Sequence, residues 1–394
     1  MDYSTISSLE WHLYVHQLHK WFQVFTSLAL AIVLCKLIDF LCRVTYRLYL
    51  SPLRKFPGPW LAATSNAWEI YHSLTNDRFC AIHELHEKHG NVVRIRPNQV
   101  SVASPEAFHH VFVTKCSSFL KTDFYATIQL GIGPKYAGLF NYINHKQAMA
   151  ERRDLQPMFS PGSMKHCEAK FDEQLDILME AIKHRGKVDL FGLLVAVSEA
   201  TSITLTYLSW MLIKRPDVDH RLRLELSSLG KSYSSTDFAN LPYLDAVIRE
   251  TLRVYPPAPA PMPRVVPKSG SECGGVSYPP DTVISAQPYT IHRYEGVFED
   301  PDEFRPERWL NVPPEKKDRM YRAFVPFSAG QRGCIGRGLA WMHIMKSVAR
   351  TLQEFDSFEL AEGMTDYDMD LIERGPLAKP RYTEMWVNVY AKAI

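Results

Sequence analysis

The chain has 394 residues, of which 46% are apolar and 22% charged, with a formal net charge of +2. That length supports a large core, and the near-neutral balance leaves no electrostatic footprint for nucleic acid. The seven cysteines, at 35, 42, 80, 116, 167, 273 and 334, are scattered, odd in number and without a C-x-x-C pair. This argues against a disulfide framework or structural zinc and fits a reducing, cytosol-facing compartment.

The first element is apolar. Trp21 to Leu41 reads WFQVFTSLALAIVLCKLIDFL, long enough as a helix of about 1.5 Å per residue to cross a bilayer core of roughly 30 Å. Lys36 and Asp39, near its end, either pair with each other or leave Lys36 to snorkel to the interface. Arg43, Arg47, Arg54 and Lys55 follow with no acid between them, so the positive-inside tendency puts the rest of the chain in the cytosol. The charged n-region and small-residue cleavage site of a signal peptide are missing. The division is a lumenal tail (1–20), a single-pass anchor (21–42), a basic, Pro-rich hinge (43–60) ending in FPGPW, and one domain (61–394). A buried amphipathic helix is the alternative to the anchor.

The domain reads as mostly helical with a minor sheet. Asn91–Ser104 holds two short β-rich runs around Pro97-Asn98, a hairpin signal. A helix follows from Pro105 with Ser104 as its cap. Residues 165–186 repeat apolar positions at helical period and stop at Gly186. Residues 201–216 are strongly apolar and end at Pro216, as a buried helix would. Residues 241–257 are amphipathic and stop at paired prolines, and 274–293 read as short strands broken by turns.

Three motifs carry chemistry. PFSAGQRGCIGRGLA (326–340) holds Cys334 among glycines at 330, 333, 336 and 338, which bend the backbone or bring it close to something flat. Leu339, Met342, Met345 and Val348 then recur at helical spacing. Cys334 therefore stands where a tight loop becomes a helix, and the free N–H groups there favour thiolate over thiol. Such a thiolate is a metal ligand or a nucleophile. In ETLR, Glu250 and Arg253 share one helix face. Leu244, Val247, Ile248 and Leu252 around them imply burial, so the pair needs a further partner. Arg308 of PERW offers one.

These signals, E-x-x-R, then P-E-R-W, then F-x-x-G-x-R-x-C-x-G, occur in the order found in cytochromes P-450. The chain resembles a fungal, membrane-bound haem-thiolate monooxygenase of that family from its anchor to its carboxyl end. The resemblance implies a mainly α fold with a minor β component. It implies haem b with Cys334 as axial thiolate, pushing electron density toward the iron and favouring O–O cleavage. Gly330 and Gly336 would let the loop approach the porphyrin, and N–H groups after Cys334 would bond its sulfur. Phe327 would pack beside the sulfur. Arg332 would pair with one haem propionate and Arg264, in PMPR, with a second; which of Arg152 and Arg153 also reaches the haem is open. Glu250, Arg253 and Arg308 would form a structural network. Electrons would come from NADPH through a membrane-bound reductase, received by basic residues such as Arg337 and Lys346. The substrate would be a lipophilic small molecule, of terpenoid or polyketide class, and the location the endoplasmic reticulum membrane.

The pattern departs from the family twice. In AVSEATS (196–202) Glu199 fits the acid of the distal proton relay, but Ala200 stands where threonine is usual and Val197 where glycine is. Thr201 or Ser202 serves instead only if the helix shifts, since one residue turns a side chain by about 100°; otherwise both bond back to their own helix. Second, GKVDLFGLL (186–194) runs directly into the second half of the distal helix. The helices that roof the family's pocket are missing, which leaves an open distal face and exposed apolar surface. A mispredicted or spliced product or a decayed gene would explain this. Two alternatives to a monooxygenase follow: a catalytically impaired relic, or a haem-thiolate isomerase or dehydratase, for which Ala200 speaks.

Overall fold

The computed structural model describes every residue except 1–2, 128–137, 196–198, 231–232 and 393–394. The first helix, α1, runs unbroken from Tyr3 to Thr45. Leu13–Leu50 is long and apolar enough to cross a membrane, and none of its most apolar stretch is covered by the rest of the chain. That exposure is unlike a core helix and compatible with a membrane anchor. Asp39 pairs with Arg43, one turn on, at 2.7 Å; the sequence had offered Lys36. An acid four residues before a cation is the better helical geometry.

The hinge is a strap docked on the domain. Pro57 accepts a backbone hydrogen bond from Arg94 at 2.7 Å. Gly58 passes so close that a Cβ there would lie 2.3 Å from the Arg94 carbonyl.

A five-stranded sheet lies behind the strap. It is formed by β1 (Val92–Arg96), β2 (Gln99–Val102), β3 (Leu120–Lys121), β4 (Met262–Val265) and β5 (Val283–Ala286), in the order β1-β2-β5-β4-β3. The β1–β2 hairpin forms at the expected place, and the Ser104 side chain accepts from Ala107 N to start the next helix. β4 pairs antiparallel with β3, placing Arg264 directly opposite Lys121. A second hairpin, β6 (Leu371–Arg374) with β7 (Leu377–Pro380), stands apart. The 274–293 segment is β-rich only as far as Ala286; Pro288 then opens a short helix to Ile291, because proline at a first helical position is pre-set for it.

The helices that position the site are α2 (His145–Leu155), α3 (Pro161–Arg185), α4 (Leu190–Val195), α5 (Glu199–Lys214), α6 (Pro242–Val254) and α7 (Arg337–Glu354). α3 begins at a Ser160 cap and stops at Gly186, whose φ of +66° only glycine adopts easily. α5 is the core helix: Thr201 to Leu208 are all buried, and it packs on α4, α6 and α7. Residues 196–198, where α4 gives way to α5 and where Val197 falls, lie outside the described residues.

Candidate active site

The site stands on a buried ionic frame. Glu250 and Arg253, on α6, are 0% exposed. Arg253 donates to the Glu250 carboxylate through Nε at 2.9 Å and Nη2 at 2.8 Å. Arg308 Nε and Trp309 Nε1 add bonds of 2.9 Å each, and the Arg305 backbone N–H a third. Burial pushes the Glu250 carboxyl up, but Arg253 and Arg308 outweigh it and hold the carboxyl below its usual range. Arg253 spends its remaining donors on the carbonyls of His292, Pro301 and Glu303. Every charged atom of the pair is thus engaged, as a buried pair requires. Glu250, Arg253 and Arg308 come together as the sequence indicated.

The cysteine loop hangs from this frame. Cys334 N donates to Phe327 O at 2.9 Å, closing the loop. Two residues further on, Gly336 serves as the N-cap of α7. A cavity of about 650 Å³ opens beside the sulfur, within the range of cofactor sites. Cys334, Phe327, Arg332 and Gly336 form one wall; Thr201 and Thr204 of α5 and Leu252 of α6 form others. Gly330 is not among the lining residues. It has φ +66°, and a Cβ on it would lie 2.3 Å from the Phe112 carbonyl. That glycine answers to a chain crossing behind the loop, not to a flat ligand, a correction to its expected place. Gly336 leaves only ordinary contacts, 3.7 Å to Phe159 and 4.0 Å to the Cys334 Sγ.

One side of the cavity gathers cations. Lys121, Arg152, Arg264 and Arg332 all line it. The β3–β4 register sets Lys121 against Arg264, a like-charge pair that a strand ladder disfavours. Among the described residues none of the four has a carboxylate partner within ion-pair distance. Their bonds go to neutral groups: Arg264 to the Tyr125 hydroxyl at 2.5 Å, Lys121 to Phe140 O at 2.5 Å, Arg152 to Gly333 O at 2.7 Å, and Arg332 to Tyr142 O. Burial, with Arg264 and Arg332 nearby, pushes the Lys121 ammonium down to about 6. Burial and Arg264 push Arg332 down to about 10. Lys121 and Arg264 are buried and Arg152 and Arg332 half-buried, and a cation cluster so placed is stabilised by an anion. Two carboxylates on an otherwise apolar, flat group match it, so the donor set fits haem.

Sequence reasoning missed Lys121 and Tyr125, because only the β3–β4 pairing brings them to the cavity. The open question about α2 has an answer in placement: Arg152 lines the cavity, while Arg153 is 81% exposed. Thr201 is buried and lines the cavity, but Glu199 does not line it. The Glu199 carboxylate is exposed and pairs with Lys379 of β7. Ser202 donates to the Leu194 carbonyl of α4. Lys346 is no surface cation. It is 1% exposed and pairs with Glu168 at 3.0 Å and Asp172 at 2.7 Å, joining α7 to α3. Arg337 stays exposed.

A cysteine on a tight loop, sharing a cavity with a core helix and a cluster of cations, is an arrangement that a haem-thiolate site would use. The comparisons agree. A family model described as cytochrome P-450 matches residues 187–371. The monooxygenase aflV of Aspergillus parasiticus is 24% identical over 468 residues, taking in 86% of this chain and 91% of its own length. The monooxygenase stcB of Emericella nidulans is 23% identical over 461 residues, with 84% and 88% covered. The monooxygenase tazI of Aspergillus terreus is 37% identical over a shorter stretch of 185 residues. Over most of its length the chain is thus similar to cytochrome P-450 monooxygenases, oxidoreductases built on haem iron. Since 86% of 394 residues cannot fill 468 positions, more than a hundred positions of that first relative have no counterpart here. An internal truncation is consistent with this.

Proposed function

We propose that this chain binds haem b through Cys334 and is a monooxygenase for a lipophilic small molecule, held at the endoplasmic reticulum membrane by α1. The observation that carries the reading is that one cavity is lined both by the Cys334 thiol and by four cations, Lys121, Arg152, Arg264 and Arg332, that have no carboxylate partner among the described residues. Cys334 stands two residues before Gly336, the N-cap of α7, and N–H groups after it would bond the sulfur. Arg264, Arg332, Arg152 and Lys121 hold the two propionates. Phe327 lines the same cavity and would pack beside the sulfur. When bound, haem supplies dioxygen activation and insertion of one oxygen atom into the substrate. Electrons come from an NADPH-dependent reductase. The similarity to fungal monooxygenases supports a terpenoid or polyketide substrate. Thr201 offers its hydroxyl toward the cavity as the proton-holding group.

The test is the spectrum of the reduced, carbon-monoxide-bound chain. A thiolate-type Soret shift in the wild type, absent in Cys334→Ala, is the expected result. A spectrum unchanged by that substitution would remove the reading.

One observation favours a second reading, a haem-binding but catalytically impaired form. The Glu199 carboxylate pairs with Lys379 instead of facing the cavity, so the acid of the relay is diverted. NADPH-dependent product formation with added reductase separates the two. An isomerase or dehydratase, supported by Ala200, would turn over without NADPH.

A further inference from the structure

His292 follows the short helix Pro288–Ile291 and is 0% exposed. Its Nε2 accepts the backbone N–H of Val325 at 2.9 Å, and its Nδ1 lies 3.1 Å from the Arg253 carbonyl oxygen. A backbone N–H can only donate, so Nε2 carries the lone pair. The proton must then sit on Nδ1, where it donates to Arg253. Two backbone partners therefore fix the tautomer. Arg253 Nη1 donates back to the His292 carbonyl at 3.1 Å, so the two residues clasp each other. The clasp has a local reason: Arg253 lies in the last turn of α6, where carbonyls lack helical partners. His292 takes the Arg253 oxygen, and Arg293 Nη2 takes that of Val254 at 3.0 Å. The ring also stacks on Phe324, 5.7 Å between centroids. Burial and Arg253 push the imidazole down to about 3, so the ring is neutral throughout the working range.

What Val325 leads into gives the contact its meaning. Pro326 and Phe327 follow it, and Phe327 O receives the Cys334 N–H that closes the loop. Val325 cannot move without moving the loop's anchor. We propose that His292 is a positioning residue for the cysteine loop: its Nε2 fixes the segment entering the loop at Val325 to the Glu250–Arg253–Arg308 frame and so sets where the Cys334 sulfur stands. The link from frame to loop stands on the bonds above; its meaning for iron ligation rests on the haem reading of Cys334.

Two near-isosteric substitutions test this. The terminal oxygen of glutamine reaches the place of Nε2, whereas asparagine reaches only the place of Nδ1. Amide hydrogen exchange is measured on the full chain, haem-free and in detergent, for wild type, His292→Gln and His292→Asn. Loss of one buried acceptor predicts exchange at Val325 and the following loop amides about tenfold faster in His292→Asn. His292→Gln is expected near wild type. Equal exchange in all three overturns the proposal. A folded His292→Gln beside an unfolded His292→Asn supports it, since the acceptor position is what distinguishes the two. The reduced carbon-monoxide spectrum gives the second readout. A shift from thiolate-type to thiol-type absorption in His292→Asn, reversed in His292→Gln, is expected. A full thiolate band in folded His292→Asn overturns the positioning of the sulfur. A wild-type chain without that band, but with the expected exchange pattern, counts against the haem reading and leaves the link from frame to loop supported.

Discussion

Lys121 faces Arg264 across a strand pair, with Arg332 nearby and, among the described residues, no acid paired with any of them. At about 6, its folded value lies far below the roughly 10.4 of a free lysine. Between those two values the unfolded chain holds more proton than the folded one. The haem-free protein must therefore gain stability as pH rises through that window, and lack it below about 6. An anion at the ledge raises the folded value and flattens the slope. In Lys121→Met the slope should largely disappear. Urea midpoints of the haem-free chain at pH 7 and pH 9 check this; identical slopes in wild type and variant would contradict it. Haem loading should flatten the wild-type slope in the same way.

At the scale of elements, two connections govern the loop. Gly330 has φ +66° and a backbone carbonyl where a Cβ would go. Gly330→Ala should displace the loop and cost haem binding, although position 330 does not line the cavity. Haem retention on gel filtration, set against Gly333→Ala, whose Cβ would meet Gly330 O at 3.2 Å, reads the difference. The α6 frame is the second connection. Glu250→Gln leaves two arginines around a neutral amide and should cost about 3–5 kcal/mol at pH 7. Because the folded carboxyl lies below its usual range, that stabilisation is present above about pH 4.3 and fades as pH falls. Thermal melts of the two proteins should therefore converge in acid.

These elements also separate what the sequence made legible from what it hid. The β1–β2 hairpin, α3 and α6 announce themselves through caps, periods and stops, all within a few residues. The cysteine loop and Glu250, Arg253 and Arg308 are legible because motif spacing specifies them. Lys121 is not, because its place depends on β3 finding β4 from far along the chain. Lys346 reads as a surface cation by residue type; its partners Glu168 and Asp172 stand on another helix, which its own sequence neighbourhood does not name. The crowding at Gly330 likewise belongs to the Phe112 backbone, which no local pattern names.

For the whole molecule the governing fact is the missing sequence. Phe140 lines the cavity yet is 52% exposed, and Cys334 is itself exposed. The cavity is thus open to solvent, as a chain without its roof helices should leave it. A second hollow, about 230 Å³, lies between α3, α4, α5 and α7, walled by Leu175, Met179, Leu208, Leu212 and Leu352. Where its walls are apolar, such a hollow forfeits dispersion contacts, so it weakens the packing of the helices behind the site. The cationic ledge and Cys334 survive intact, and they decide whether haem binds at all. The covering elements decide how long it stays. This chain should therefore take up haem but release it quickly. Excess apomyoglobin as a scavenger measures the release, with a full-length fungal relative such as aflV as reference. Release from this chain is expected to be at least about tenfold faster, the equivalent of about 1.4 kcal/mol of lost contact. Equal release rates would mean that α5 and the β6–β7 hairpin close the site without the absent helices.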